Sequence, residues 1–229
     1  MKWRGLEDSQ QQSEIGVPLS TRLKERRELI ERYVPAETQA IIRQTVADLH
    51  ASGIAQRVPG AGARISAFEL PDHDGAPVSS QAFLTGGRMV LLFIRGRWCP
   101  FCVAQLEAMN EAAAAIRQAG AEIVAISPQK VHQSSLMRDQ HRLGFSLLSD
   151  AGNHVARQFG LVYRIPEVQQ KIYSRTFVNL PFLNGDSTWE LPIPAAFVVD
   201  RDGSVLWSSA SADYTERPEP AEILQALSR

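Results

Sequence analysis

The sequence has few of the features that mark secreted, membrane or nucleic-acid-binding proteins. Two of its 229 residues are cysteine, and a chain of this length can bury a sizeable core without disulfide bridges. Its 24 basic residues nearly balance its 25 acidic ones, for a formal net charge of -1, so no global field favours a nucleic acid or a membrane surface. No apolar run reaches the ~18 residues of a spanning helix, and the amino terminus has no signal-peptide core. We therefore expect a soluble cytoplasmic protein with no nucleic-acid or membrane partner.

The pattern along the chain predicts three regions. Residues 1–18 are polar and without periodicity, which predicts a disordered tail. Residues 19–58 predict two helices separated at Pro35, which form an N-terminal helical arm. Residues 62–229 alternate short apolar runs with helical stretches, which is typical of an α/β domain. We expect the arm to pack on this domain or, alternatively, to make a dimer contact.

Apolar runs within the main domain predict the strands of a sheet. The predicted strands cover residues 65–70, 89–94, 122–127 and 145–150, and a hairpin covers 195–209. The run at 89–94 is continuously apolar, which is typical of a central strand buried on both faces. Residues 100–118 then have the apolar spacing of an amphipathic helix.

The segment 165–194 has no clear periodicity and is longer than ordinary connections. Its large apolar side chains are Tyr173, Phe177, Phe182, Leu183 and Trp189. We expect the segment to be ordered against the domain, because these side chains favour burial over disorder. A lid over a nearby site is the functional alternative.

The two cysteines form a C-x-x-C motif in the stretch GRWCPFC, residues 96–102. The motif follows the strand at 89–94, and Pro100 suits the first position of the next helix. Cys99 is then the N-cap, where unpaired N–H groups and the helix dipole favour a thiolate. Cys102 lies one turn further on the same side, within disulfide reach. We expect Cys99 to be an exposed, attacking thiolate and Cys102 a more buried resolving thiol.

Other interpretations of the motif have less support. A zinc site needs about four ligands, the motif supplies two, and the five histidines show no paired spacing, so we expect no metal. Covalent haem attachment needs a histidine where Val103 stands. Arg95 and Arg97 flank the motif. Strand alternation would point both side chains to one side, where their charges would favour a thiolate. The alternative, that both are solvated surface residues, stays open. A redox pair is thus favoured over two unreactive buried cysteines.

Three motifs, in chain order, resemble one known family. They are RGRWCPFC, LLSDAGNHVARQFGL and PAAFVVDRDGSV, and together they are similar to the alkyl hydroperoxide reductase/thiol-specific antioxidant family, the peroxiredoxin-like branch of the thioredoxin superfamily. The resemblance covers roughly residues 62–229 and implies a thioredoxin-like three-layer α/β sandwich with a central mixed sheet, plus the N-terminal helical arm. It also implies that Pro194 matches the cis-proline that faces the redox pair in thioredoxin-like proteins, opposite a shielding Trp98.

The sequence departs from the family pattern around the cysteines. Typical members carry Pro-x-x-x-Thr/Ser-x-x-Cys, but Gly96 stands three residues before Cys99, and Cys99 itself stands three before Cys102. The position of the family's thiolate-stabilising arginine is filled by Pro194. Dithiol–disulfide exchange does not depend on these residues, so the motif does not decide between a peroxide and a protein disulfide as the substrate.

The resemblance implies a thiol-dependent antioxidant oxidoreductase, a thioredoxin-dependent peroxidase that needs no cofactor. Its partners would be a hydroperoxide and an external dithiol such as a thioredoxin-like protein, and the arm makes a homodimer plausible. A thioredoxin-like protein disulfide reductase is one alternative. A non-catalytic thioredoxin-fold interaction protein is another.

Overall fold

The computed structural model describes Glu14, residues 16–176 and residues 178–228. The helices are α1 (Leu19–Tyr33), α2 (Ala36–Ala51), α3 (Ser80–Gly86), α4 (Pro100–Gln118), α5 (Val131–His141), α6 (His154–Gln158), α7 (Glu167–Ser174), α8 (Leu180–Asn184) and α9 (Pro220–Leu227). The strands are β1 (Glu69–Pro71), β2 (Pro77–Ser79), β3 (Arg88–Phe93), β4 (Ala121–Ser127), β5 (Ser146–Ser149), β6 (Val162–Arg164), β7 (Glu190–Pro192), β8 (Ala195–Val199) and β9 (Val205–Ala210). Most of the predicted tail, and Phe177, lie outside the described residues. Among the helices that are described, none has the length and apolar character needed to cross a lipid bilayer.

A five-stranded sheet forms the centre of the fold, in the order β5-β4-β3-β8-β9. β3, β4 and β5 run parallel to one another, whereas β8 is antiparallel to both β3 and β9. The central mixed sheet is therefore confirmed, and the apolar run at 89–94 lies in its middle strand. The predicted hairpin is also present, as β8 and β9.

The side chains of the central strand pack on both faces of the sheet because successive residues of a strand point to opposite sides. On one face, Leu92 lies in a buried cluster with Leu106 and Met109 of α4. On the other face, Phe93 lies in a second buried cluster with Val155 and Ala156 of α6. Helices thus cover the sheet on both sides, which confirms the three-layer architecture.

The N-terminal arm packs on the main domain. Leu19 and Leu23 of α1 are buried in the same cluster as α4, and Arg22 Nη2 lies 2.8 Å from Glu111 Oε2 of α4. In α2, the buried residue is Thr45. This packing matches the first of the two expectations for the arm, and a dimer contact stays a prediction.

Two parts of the main domain differ from the sequence-based expectation. The strand predicted at 65–70 is wrong over most of its length: β1 begins at Glu69, and the Ile65 N–H donates instead to the Gly203 carbonyl. The segment 165–194 contains α7, α8 and β7, although its sequence shows no clear periodicity. Elements of three to eight residues are too short for a repeating pattern to be read with security.

Candidate active site

The two cysteines lie where the central strand passes into α4. β3 ends at Phe93, and Cys99 is the N-cap of α4 with Pro100 at the first helical position. The Cys99 carbonyl accepts hydrogen bonds from the backbone N–H groups of Cys102, at 3.0 Å, and Val103, at 3.1 Å. Proline fits the helix start because its missing N–H has no partner to lose there. The predicted strand-to-helix position of the motif is confirmed.

The loop before Cys99 requires glycine at position 96. Gly96 has a φ of 141°, and a Cβ there would lie 2.8 Å from Trp98 Nε1 and 2.9 Å from Gln129 Cδ. Any larger residue would displace one of these side chains. The half-buried Trp98 ring also meets Tyr173 at an edge-to-face angle, with centroids 5.6 Å apart. Trp98 therefore packs in the wall of the site.

The predicted exposure of Cys99 is wrong, because both cysteines are buried. Cys99 is 1% exposed and Cys102 is 0% exposed. A small apolar cluster contributed by the segment 165–194 packs against Trp98 and Tyr173. The segment thus packs against the residue that precedes Cys99. The prediction that the segment is ordered against the domain agrees with this packing.

Arg95 is a buried cation beside the sulfurs. It is 1% exposed, and its guanidinium carbon lies 4.8 Å from the ring centroid of Trp98 and 4.4 Å from that of Tyr214. Its Nη2 donates to the Tyr173 hydroxyl at 2.9 Å, and its Nη1 lies 3.8 Å from Cys99 Sγ. Two aromatic rings and a hydroxyl thus hold this positive charge in place.

Arg97 points away from the sulfurs. Its Nη1 and Nη2 donate to the side-chain oxygens of Gln133 and Gln140, each at 3.4 Å. The expectation that Arg95 and Arg97 share one side through strand alternation is wrong, since both lie beyond the last residue of β3. Of the two candidate arginines, the structure brings only Arg95 to the cysteine pair.

Arg217 is a second cation at the site, and sequence reasoning missed it. Its Nη2 donates to Cys102 Sγ at 3.4 Å, and its Nε donates to Gln105 Oε1 at 2.8 Å. Its Nη1 donates to the carbonyl oxygens of Tyr214 and Glu216, both at 2.6 Å. Arg217 lies 115 residues from Cys102, in a loop without a recognisable motif, so no local signal marks it.

The electrostatic environments of the two sulfurs differ. Burial raises the pKa of Cys99, and its hydrogen bond to Cys102 raises it further. Burial also opposes a thiolate at Cys102, but the hydrogen bond from Cys99 and the positive charges of Arg217 and Arg95 outweigh it and lower the pKa of Cys102. The backbone N–H of Arg95 adds a donor to Cys102 Sγ at 3.4 Å. The charges and donors around the pair thus favour a negative charge on Cys102 over one on Cys99.

The expectation of a lowered pKa at Cys99 is therefore wrong in this arrangement. The Cys99 side chain makes no capping hydrogen bond to the N–H groups of α4, so the helix start does not stabilise its thiolate directly. The division into an attacking Cys99 and a resolving Cys102 stays a prediction.

A chain of hydrogen bonds, the first buried and the next two partly buried, connects the N-terminal arm with the site. Thr45 Oγ1 of α2 donates to Gln169 Oε1 of α7 at 2.9 Å. Gln169 Nε2 donates to the Tyr173 hydroxyl at 3.0 Å, and the same hydroxyl accepts from Arg95. The arm therefore supports the α7 segment at the point where that segment contacts Arg95.

Replacing Thr45 by valine tests this connection. Thr45→Val keeps the shape of the side chain but leaves the buried Gln169 Oε1 without its donor, so we expect the free energy of unfolding to fall by about 1 to 3 kcal/mol. Urea unfolding of the two proteins measures the change. Thr38→Val, at a partly exposed position of the same helix, is the control. Equal, small losses in both variants would show that the Thr45 contact contributes nothing.

Pro194 lies beside the Arg217 side of the site, in a trans peptide bond. No cis peptide bond occurs among the described residues, so the cis isomer that the resemblance implies is not found at Pro194. Pro194 lines a cavity of about 340 Å³ together with Gln105 and Arg217. Its carbonyl accepts a hydrogen bond from the Ser211 N–H at 3.2 Å, which ties it to the end of β9.

A group of possible metal ligands lies away from the cysteines, at the turn between β1 and β2. The donor atoms of Asp72, His73 and Asp74 lie within 4.8 Å of one another. Asp72 Oδ1 already accepts the backbone N–H groups of Asp74 and Ala76, as expected for an aspartate that stabilises a tight turn. Within the described part of the chain, no such group of three ligands includes Cys99 or Cys102.

A model of the AhpC/TSA family matches residues 61–208. Over 94 residues the chain is 34% identical to the chloroplastic peroxiredoxin Q of Sedum lineare, covering 41% of this chain and 50% of that protein. Over 94 residues it is 32% identical to peroxiredoxin Bcp of Escherichia coli strain K12, covering 41% of this chain and 60% of that protein.

A solved structure of a similar protein has the same fold as this chain. The peroxidoxin BcpB of Mycobacterium tuberculosis aligns with a TM-score of 0.58 and 25% identity, covering 74% of this chain and 97% of that one. The sequence matches to the two curated relatives are shorter and span about half of their length. The N-terminal arm and Arg217 both lie outside the stretch that the family model matches.

Proposed function

Because the chain belongs to the AhpC/TSA family, we propose that it is a thiol-dependent peroxidase that reduces hydroperoxides through Cys99 and Cys102. The observation that carries this proposal is the pair of buried sulfurs at the start of α4, with Arg95 and Arg217 beside them. Relatives named peroxiredoxin Q and peroxiredoxin Bcp support the same chemistry.

The proposed cycle begins at Cys99. Its thiolate attacks one peroxide oxygen, so that an S–O bond forms, the O–O bond breaks, and an alcohol or water leaves with a proton. Cys99 is then a sulfenic acid. The Cys102 thiolate attacks the Cys99 sulfur, the disulfide forms, and the departing hydroxide takes a proton to become water. An external dithiol then reduces the disulfide and is itself oxidised to a disulfide.

Burial of both sulfurs favours a peroxide over a protein disulfide as the substrate. A mixed disulfide forms only when the attacking sulfur touches a sulfur of the partner protein. Cys99 is 1% exposed, and the segment that carries Tyr173 packs against the neighbouring Trp98. A hydroperoxide is small enough to need far less of this cover to move. The protein disulfide reductase is therefore the weaker candidate.

The finer parts of the proposal concern partners and organisation. A thioredoxin-type dithiol protein is the proposed reductant, in a cytoplasmic setting. Residues 62–229 are the proposed thioredoxin-like unit, and residues 19–58 are its arm. A homodimer that uses the arm belongs to the same proposal.

Thiol counting after a brief exposure to peroxide tests the function. Reduced protein is mixed with substoichiometric hydrogen peroxide, quenched at intervals, and its free thiols are titrated. We expect two thiols to be lost for each peroxide, much faster than in the same protein unfolded in urea, whose cysteines react as free thiols. Oxidation no faster than in the unfolded chain would refute the peroxidase, and rapid reduction of insulin disulfides by the same protein would then favour the disulfide reductase.

A further inference from the structure

Arg217 lies in the loop between β9 and α9, outside the part of the chain that matches the family model. Its guanidinium reaches back to the redox pair and donates to Cys102 Sγ at 3.4 Å. We propose that Arg217 is a catalytic residue that holds Cys102 as a thiolate, so that Cys102 first accepts the proton of Cys99 and later closes the disulfide. This inference rests on the peroxidase function proposed above. It identifies Cys102 as the sulfur that is ionised before peroxide reacts.

The Arg217 side chain is held rigidly in this position. Gln105 Oε1 accepts its Nε–H at 2.8 Å, and two backbone carbonyls accept from its Nη1. Gln105 is fully buried and lies three residues after Cys102 on α4, on the same side of the helix. Because these contacts fix the guanidinium before any reaction, its charge needs no reorganisation when the Cys102 thiolate forms.

The charges that face Cys102 favour ionisation. The groups in reach are the Cys99 thiol, the Arg217 guanidinium and the Arg95 guanidinium, together with the Arg95 backbone N–H. The carboxylate of Glu216 lines the cavity beside Arg217, but it is engaged by the Ser211 hydroxyl at 2.7 Å. Two cations and one backbone donor therefore act on a single sulfur, which supports the lowered pKa of Cys102.

This arrangement gives the reaction a consistent proton balance. Passage of the Cys99 proton to the Cys102 thiolate leaves a Cys99 thiolate beside Arg95 and a neutral Cys102 thiol. The Cys99 thiolate attacks the peroxide, and the Cys102 proton passes to the leaving oxygen, so that Cys102 is again a thiolate. It then attacks the Cys99 sulfenic acid and displaces hydroxide, which a solvent proton converts to water.

Ultraviolet titration of the thiolate tests the role of Arg217 without any peroxide. In Cys99→Ser, the hydroxyl replaces the neighbouring thiol and Cys102 is the sole cysteine, so its absorbance reports one ionisation. We expect this variant to titrate below the ~8.5 of a free cysteine. Adding Arg217→Gln should raise the midpoint by about one pH unit or more, which is a tenfold loss of thiolate at neutral pH. Arg201→Gln, in the exposed turn between β8 and β9, is the matched control.

A second variant covers the case in which Arg217→Gln fails to fold. Gln105→Met removes the oxygen that accepts from Arg217 Nε, and it also removes the buried Gln105 Nε2, which has no hydrogen-bond partner. We expect it to raise the midpoint of the Cys102 titration by less than Arg217→Gln does. Unchanged midpoints in the folded variants, or a Cys99→Ser parent that titrates at ~8.5 or above, would overturn the inference. Failure of the peroxidase proposal is a separate result, namely slow oxidation by peroxide in a protein whose Cys102 still titrates low.

A kinetic readout on the native pair adds to the titration. With Cys102 less ionised, Arg217→Gln should close the disulfide more slowly, and excess peroxide should then convert more Cys99 to sulfinic acid. Mass spectrometry after a peroxide pulse measures this product. A sulfinic acid yield equal to that of the Arg201→Gln control would contradict the role of Arg217 in disulfide closure.

Discussion

Replacing Cys99 by serine is expected to lower the rate constant for peroxide reduction by about a thousandfold or more, because the attacking sulfur is lost. A serine hydroxyl is not ionised at neutral pH and does not form the S–O bond of a sulfenic acid. Cys99 is fully enclosed, and serine fits the same space, so the fold should survive the substitution. Stopped-flow measurement of peroxide loss, with circular dichroism as the check on folding, provides the comparison.

The Cys102→Ser variant shows which sulfur attacks. It should still form a sulfenic acid on Cys99, at a reduced rate because serine does not accept the Cys99 proton as a thiolate does, and it should form no internal disulfide. A dimedone label on Cys99, located by mass spectrometry, reports the sulfenic acid. If Cys99→Ser reduced peroxide as fast as the unsubstituted protein and carried the dimedone label on Cys102, the roles would be reversed. The sulfur with the lower pKa would then be the nucleophile.

Arg95→Gln is expected to slow peroxide reduction at neutral pH by about 10- to 100-fold. The substitution removes one of the two cations beside the cysteine pair while keeping a polar side chain near Tyr173. A cation within contact distance lowers a thiol pKa by about one to three units, so its loss raises the pKa values of the pair. Below the new values the thiolate fraction falls about tenfold per unit, and at higher pH the rate recovers.

The pH–rate profile of Arg95→Gln separates this electrostatic effect from damage to the fold. We expect the profile to move to higher pH and to approach the parental plateau in alkaline solution. Arg97→Gln gives the comparison, since its guanidinium contacts glutamine side chains instead of sulfur, and its profile should stay near the parental one. Equal displacement of both profiles, or a uniform loss of rate without displacement, would contradict a direct action of Arg95 on the pair.

The parts of the site that depend on short-range order could be predicted from the sequence. The apolar run at 89–94 is the central strand, Cys99 is the N-cap, and Pro100 starts α4. Chain breakers, caps and apolar periodicity act within a few residues, so their signal is present in the local sequence. The same motif indicates a redox pair, because two cysteines one helical turn apart lie within disulfide reach.

The electrostatics of the pair could not be predicted in this way. Whether Arg95 or Arg97 faces the sulfurs depends on how the loop turns at Gly96, beyond the end of β3, where strand alternation no longer applies. Cys99 is enclosed by tertiary packing, and the Tyr173 hydroxyl that contacts Arg95 beside it lies more than 70 residues further along the chain. Local reasoning therefore placed the helix start correctly but left it open to solvent.

The class of fold and the position of the cysteines at a strand end and helix start follow from local patterns in the amino-acid sequence, and the C-x-x-C spacing favours a redox pair. Long-range contacts set which arginines reach the sulfurs, which sulfur the surrounding charges favour as a thiolate, and how the arm supports the site through Thr45. These features join residues that lie far apart along the chain. Arg217 and Cys102 are separated by 115 residues, and they meet only because the order of the strands in the sheet brings the loop after β9 against the start of α4.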